Sequence, residues 1–307
     1  VIKLKYKPSS MSISLFCDHI SVLDIAYFDK TKGLVGASYQ VNVEFVGKPD
    51  EEGILIDFSL AKKAVKNIID EICDHRFVLP KGMAKLTEDR FQLELSYGAK
   101  SQQLYYEGPR QAICEIPSQY VSTNHIASYL EQEMSNHFGE QFEQVKIQLE
   151  EANLGTKPIL NYTHGLKQHY GNCQRLFHGH HNSVDIWVNE ESRSDLESWL
   201  VRDHLKGNIH FCFVENIVNK EQVLDSLEGE YGIPNKCPFV EIKYQGNQGM
   251  FRSILPSEEV YVLPIESTVE NLSSHFAKVI QSKTGPKDRI KVKAYEGINK
   301  GAISYIS

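Results

Sequence analysis

Two stretches of the chain open on a hydroxyl residue and then place apolar side chains at helical spacing: VSTNHIASYLEQEM from Val121 and STVENLSSHFAKVI from Ser267. In each, the Ser/Thr stands where a helix N-cap belongs, its oxygen free to accept a backbone N–H of the first turn. Each helix follows an apolar extended segment (RQAICEIP and EVYVLPIE) and precedes a strand-like one (VKIQLE and RIKVKAYE). Earlier in each half another strand-like run (SYQVNVEFVG and SVDIWVN) leads to a helix, IDFSLAKKAVKNIIDEIC in the first and SRSDLESWLVRDHL in the second. The order recurs, so the chain reads as a duplication. The polar segment EANLGTKP near Gly155 is the expected boundary, giving units over residues 11–153 and 157–307. Each unit is predicted to be α+β, with helices on one face of an antiparallel sheet. Such a unit exposes sheet edges, which are expected to close against neighbouring units within or between chains.

Composition narrows the function without naming it. With 307 residues, 41% hydrophobic and 24% charged, the chain has the make-up of a globular protein of two ordinary domains. No segment approaches a membrane span, so no membrane partner is expected. A formal net charge of -7 argues against direct nucleic-acid binding, while leaving room for a local basic pocket around a phosphorylated small molecule. The six cysteines (Cys17, Cys73, Cys114, Cys173, Cys212 and Cys237) show no framework spacing. With no signal peptide ahead of them, a reducing cytoplasm is the expected location, and most should be buried small hydrophobes. The opening VIKLKYKPSS, ahead of Met11, is set aside as a translation-start extension or cloning remnant.

Candidate chemistry concentrates in NYTHGLKQHYGNCQRLFHGHHN. Alternate side chains of a strand share a face, so His178 and His180 can bind one metal while Gly179 lets the backbone pass close. His164 completes a set of three imidazoles, which leaves the fourth position of a tetrahedral Zn²⁺ open for water or substrate. His169 and His181 keep the ligand assignment ambiguous. Cys173 has two readings: a fourth ligand that closes a structural site, or an unligated base or nucleophile beside the metal.

In these residues the chain resembles the 6-pyruvoyltetrahydropterin synthase and 6-carboxytetrahydropterin synthase family, tunnelling-fold (T-fold) enzymes whose subunits assemble into barrels. That family carries an upstream His, a Cys shortly before HGH, a G-x-x-x-D-F helix start, an Asp-His pair, a Thr/Ser-rich helix start ending in Glu, and a C-terminal Tyr-Glu. His164, Cys173, His178, His180, Thr268, Glu270 and Tyr295-Glu296 match from the second half. The first half supplies the middle motifs in EEGILIDFSLAKKAVKNIIDEICDHRFVLP, where Asp74 and His75 match the pair. Its own counterpart of HGH is VGA, with Val35 and Ala37 in ligand places and His19 as the surviving imidazole. The second half offers only Glu215-Asn216, or Asp203-His204 placed too early, where an Asp-His pair belongs.

The resemblance implies a division of labour: one copy keeps the metal and thiol, the other keeps the acid and imidazole. It further implies Zn²⁺ on His164, His178 and His180 as a Lewis acid, Cys173 as general base, and His75 hydrogen-bonded to it and oriented by Asp74. Glu296 would anchor a pterin through paired hydrogen bonds, with Thr268 and Glu270 adding ring contacts from a helix start. Glu150 is the expected first-half counterpart of Glu296, and Asn124 replaces the acid at the place of Glu270, so one productive site per chain is expected. The implied substrate is 7,8-dihydroneopterin triphosphate. The carboxy-type product, of the route to queuosine, is favoured over the pyruvoyl type by analogy with bacterial relatives. A zinc cyclohydrolase or hydrolase and a non-catalytic pterin or purine binder stay open, as does the size of the expected homo-oligomer.

Overall fold

A computed structural model describes residues 12–307 of the chain; VIKLKYKPSS lies outside the described residues. The first half runs β1 (Ile13–Asp29), β2 (Gly33–Gly47), α1 (Phe58–Ile72), β3 (Phe77–Pro80), β4 (Lys85–Leu86), β5 (Arg90–Tyr97), β6 (Gln102–Pro109), β7 (Ile113–Ile116), α2 (Thr123–Phe138) and β8 (Gln144–Glu151). The second half runs β9 (Leu160–His164), β10 (His178–Asn182), β11 (Val184–Val188), β12 (Glu191–Ser192), α3 (Ser194–Ser198), β13 (Asn208–Phe213), α4 (Lys220–Leu224), β14 (Phe239–Gly246), β15 (Gly249–Pro256), β16 (Val260–Leu263), α5 (Val269–Thr284), β17 (Ile290–Tyr295) and β18 (Gly301–Ile306). Only Ser183 separates β10 from β11, so together they form the bent equivalent of β2.

The long helices begin where the chain supplies caps. Ser122 accepts from the His125 N–H to start α2, Thr268 accepts from the Asn271 N–H to start α5, and Asp57 accepts from Ser59 and Leu60 to start α1. Below these caps α1 buries Ala61, Val65, Ile68 and Ile69, one face at helical spacing, against the first-half sheet.

That sheet has the order β7-β3-β1-β2-β8. Its β1-β2-β8 part is antiparallel, as expected, while β3 joins β1 and β7 in parallel. In the second half β10-β9-β13-β16 and β12-β11-β17-β18 repeat the plan, with β13 parallel to β9 and β16.

A further sheet belongs to both halves. Its order is β14-β15-β6-β5-β4, and β6 is zipped to β15 through Glu107–Arg252, Tyr106–Ser253 and Tyr105–Ile254. Beneath it lies a mixed core in which Tyr106 and Phe177, one from each half, pack with ring centroids 4.3 Å apart. A second joint forms where the two major hairpins cross. A Cβ on Gly179 would stand 2.5 Å from the Gly36 Cα, and one on Gly36 would stand 2.1 Å from the Tyr162 carbonyl oxygen. Only glycine permits this approach, and it brings the VGA and HGH tripeptides face to face.

Among the described residues no helix is long and apolar enough to cross a membrane. Cys73, Cys114, Cys212 and Cys237 are buried as expected, whereas Cys17 and Cys173 are partly exposed, and all six are free thiols.

Candidate active site

Antiparallel pairing of β9 with β10 sets His164 opposite His178, and alternation along β10 turns His178 and His180 to one face. Donor atoms of the three rings lie within 4.8 Å of one another, with Nε2 of His164 and Nε2 of His180 3.3 Å apart. Two rings are held from behind by hydrogen bonds through Nδ1, His164 by the Ser267 carbonyl at 2.8 Å and His178 by the Arg175 carbonyl at 3.2 Å, while His180 Nδ1, without a hydrogen-bond partner among the described residues, lies 3.3 Å from Asp24 Oδ1 as a charge-pair contact. A proton kept on Nδ1 by such an acceptor leaves the lone pair on Nε2, facing inward.

Burial first, and then the like charges of neighbouring rings, hold His164 and His178 well below the usual imidazole range. Neutral imidazole is the state a metal requires. His178 Nε2 is buried without a hydrogen-bond partner among the described residues, an orphan that a cation would satisfy. The donor set therefore fits zinc with an open position. The other two imidazoles of this stretch stand apart from the cluster. His169 is exposed and accepts from the Gly171 N–H at 3.1 Å, and His181 turns to the opposite face, its Nδ1 2.7 Å from Asn161 Oδ1.

The first half contributes the turn after α1. Asp74 is buried, and its Oδ1 accepts from the Asp24 N–H at 2.9 Å while Oδ2 lies 2.5 Å from His75 Nδ1. His75 sits at φ 55°, in the left-handed region that non-glycine residues rarely adopt. Arg175 Nη1 donates to the carbonyls of Asp74 and His75 at 3.2 and 3.5 Å, tying this turn to the loop before β10. The His75 ring centroid is 5.2 Å from that of His178, and the Cys173 thiol stands close enough to act on its charge. Burial, the largest influence on His75, works to lower its pKa, yet Asp74 and then Cys173 outweigh it and raise it to about 10. Asp74 and His75 of one half thus meet Cys173 and the imidazole cluster of the other within a single chain.

Of the expected anchor residues, Glu296 reaches the cluster, its Oε1 3.7 Å from His164 Nε2. Thr268 and Glu270 do not. The Thr268 hydroxyl is taken up in capping α5, Glu270 is exposed in the first turn, and no hydrogen bond among the described residues joins either to the imidazoles. Their neighbour Ser267 is the one that touches His164. Sequence reasoning missed Ser267, Arg175, Asp24 and Lys300, of which the first two reach the rings through main-chain carbonyls that no side-chain motif announces, Ser267 adding its hydroxyl at 3.2 Å from His164 Nδ1. For Asp24 a signal existed: it pairs with Ser38, the residue directly after VGA.

Strand register corrects three correspondences. Tyr27 stands opposite Val35 as His164 stands opposite His178, so the third lost ligand is Tyr27. His19 lies upstream, exposed, within the β1 irregularity between Cys17 and Ser21. Val41 pairs with Leu149 as Val184 pairs with Ala294, which makes Glu151 the counterpart of Glu296 in place of Glu150. Finally, Phe77 pairs with Ala26 as His210 pairs with Thr163, so Gly207-Asn208 occupies the Asp-His position of the second half. Glu215-Asn216 and Asp203-His204 lie elsewhere, His204 bonded to the Tyr261 hydroxyl at 2.8 Å.

The family model described as 6-pyruvoyl tetrahydropterin synthase matches this chain twice, over residues 17–159 and 156–305. The chain belongs to that family. It is a tandem-duplicated 6-pyruvoyl tetrahydropterin synthase family member, built of two T-fold units. Among its relatives are the putative 6-carboxy-5,6,7,8-tetrahydropterin synthases of Pyrococcus horikoshii and Pyrococcus abyssi, 25% and 24% identical over 132 residues that make up 43% of this chain and 77% of each relative. A solved 6-pyruvoyltetrahydropterin synthase of Plasmodium vivax is 20% identical, covers 47% of this chain and 100% of its own, and superposes with a TM-score of 0.35, too low to carry weight.

Proposed function

We propose that this family member is a zinc-dependent lyase that converts 7,8-dihydroneopterin triphosphate to a 6-substituted tetrahydropterin, of the 6-carboxytetrahydropterin synthase type. One observation carries the reading: the Asp74–His75 pair of the first half faces Cys173 and the three convergent imidazoles of the second. A zinc hydrolase or a simple pterin binder has no use for an acid, an imidazole and a thiol aligned beside the metal ligands. The names of the Pyrococcus relatives favour the carboxy product.

His164, His178 and His180 would hold the zinc, which when bound supplies Lewis acidity to a side-chain oxygen of the substrate. Cys173 is the general base that moves protons between the pterin side chain and its ring. Asp74 occupies His75 Nδ1, leaving Nε2 of that ring to exchange a proton with the thiol. Glu296 anchors the pterin through its amino and lactam N–H groups, a pattern only a bidentate acceptor matches well. Thr268 and Glu270 contribute from the α5 start once substrate is present. The protein would work as a cytoplasmic homo-oligomer of chains divided near Gly155, with one productive site each.

The test is incubation of the zinc-loaded chain with 7,8-dihydroneopterin triphosphate. Release of acetaldehyde together with triphosphate is expected. Triphosphate alone would move the assignment to the pyruvoyl type, and an intact substrate in the presence of bound zinc would end the lyase reading.

A further inference from the structure

We infer that Asp24 is a positioning residue for the metal, contributed across the crossing of the two halves: its carboxylate stands behind Nδ1 of the His180 ring and ties that ligand to the turn carrying Glu296. The inference rests on the zinc reading above. Asp24 lies on β1, in the half without imidazole ligands, and is 2% exposed. Its Oδ1 accepts from Ser38 Oγ at 2.5 Å and lies 3.3 Å from His180 Nδ1, a buried nitrogen with no hydrogen-bond partner among the described residues, so that the contact is one of charge. Its Oδ2 is 3.1 Å from Lys300 Nζ. A carboxylate so enclosed is costly unless each oxygen has partners, and the pairing with a ring and an ammonium provides them.

Three features separate this contact from an incidental ion pair. First, the other two ligands are backed by neutral carbonyls, whereas His180 alone has a full carboxylate behind it, which raises the basicity of its inward nitrogen. Second, strand register makes Asn161 the counterpart of Asp24, since Asp24 pairs with Ser38 as Asn161 pairs with His181. Asn161 is uncharged, and the hairpin across from it carries Ala37 in the ligand place. The charge is present only on the side where a ligand needs it.

Third, the anchor turn is built around this carboxylate. Gly297, next to Glu296, has φ 73°, and a Cβ there would stand 2.6 Å from Asp24 Oδ2. The Glu296 N–H donates to the Lys300 carbonyl at 3.1 Å, so Lys300 closes the same turn whose side chain reaches Asp24. The Asp24 main chain also serves the relay, its N–H donating to Asp74 Oδ1 and its carbonyl accepting from the His75 N–H at 2.8 Å. Ligand, relay and anchor therefore share one residue.

The experiment uses the full chain and zinc alone. Asp24→Asn keeps the size of the side chain and an acceptor for Ser38 while removing the charge. Lys300→Met removes the ion pair but leaves the carboxylate on His180. Zinc affinity, read by competition with a chromophoric chelator, should fall roughly 10–100-fold in Asp24→Asn and stay near wild type in Lys300→Met. The visible band of the Co²⁺-substituted protein should change in the former and not the latter, although both variants lower the melting temperature of the metal-free chain. Unchanged zinc affinity in Asp24→Asn, or an equal loss in Lys300→Met, would overturn the inference and leave the lyase reading untouched. A wild-type chain that binds no zinc would instead remove the reading on which it rests.

Discussion

At the crossing of Gly36 with Gly179 two hairpins of one design face each other, and only one of them is equipped to bind a cation. His164, His178 and His180 on that side correspond to Tyr27, Val35 and Ala37 on the other. The backbone has been kept while the ligands have gone. Val35 and Ala37 are each 2% exposed, and an imidazole buried there without a metal would need partners or cost stability, so apolar replacements are the stable outcome. The relay shows the reverse: Asp74-His75 persists in the first half, and the equivalent turn of the second has become Gly207-Asn208. On the proposed lyase reading, each half has lost the groups that would have served a second site and kept those that serve the shared one.

The largest effects should come from the relay. Cys173→Ala and His75→Gln are each expected to lower kcat by about 10²–10⁴-fold, with the double variant no slower than the worse single one, because the groups act as a unit. The matching change in the other turn, Asn208→Ala, should leave kcat within about twofold, since its side chain donates to the Leu34 carbonyl at 2.9 Å, away from the imidazoles. Steady-state kinetics on the three variants decide it. A slow Asn208→Ala enzyme would mean that the second relay position still matters.

Next in size is the anchor. Replacing a carboxylate that pairs with substrate N–H groups removes about 1.5–3 kcal/mol, so Glu296→Gln should weaken pterin binding by roughly 10–100-fold. Glu151→Gln, at the corresponding place, should not alter it. Calorimetry with neopterin separates the outcomes, and equal losses would reveal a second working pocket.

The crossing itself is tested by Gly36→Ala and Gly179→Ala. Each sets a methyl against backbone of the opposite hairpin, which should cost about 1–3 kcal/mol in urea unfolding. Full stability in either variant would show that the hairpins are not held as closely as described.

The last effect is electrostatic and shows only as a dependence on pH. In the metal-free chain His75 is raised from 6.5 to about 10. A histidine whose folded pKa exceeds its unfolded one contributes its full stabilisation below about pH 6.5 and loses it as pH rises towards 10. The melting-temperature difference between wild type and His75→Gln should therefore shrink steadily across that window. A difference that grows with pH would mean that Asp74 does not hold the ring charged.

Much of the fold was legible because its signals are local. The caps at Ser122 and Thr268, with the apolar spacing that follows each, marked α2 and α5, and the repeated strand-helix order exposed the duplication. The joining of β6 to β15 was not legible, since pairing between residues such as Tyr106 and Ser253 is decided by tertiary packing and leaves no mark on neighbouring positions. The site divides the same way. Imidazoles, thiol and the Asp-His pair carry recognisable spacing, whereas the nearest contacts of Ser267 and Arg175 with the rings are made by carbonyls that any residue possesses. Register also corrected what motif matching misplaced, moving the lost ligand from His19 to Tyr27 and the lost anchor from Glu150 to Glu151.

The seam between β6 and β15 has a kinetic meaning. Because β6 of the half that carries His75 and β15 of the half that carries Cys173 are paired within one polypeptide, the encounter of imidazole with sulfur is intramolecular, and its effective concentration is set by the chain and not by the amount of protein. Dilution that strips neighbouring molecules away would leave this junction intact, and co-expressing two different variants could not reconstitute it by exchanging halves.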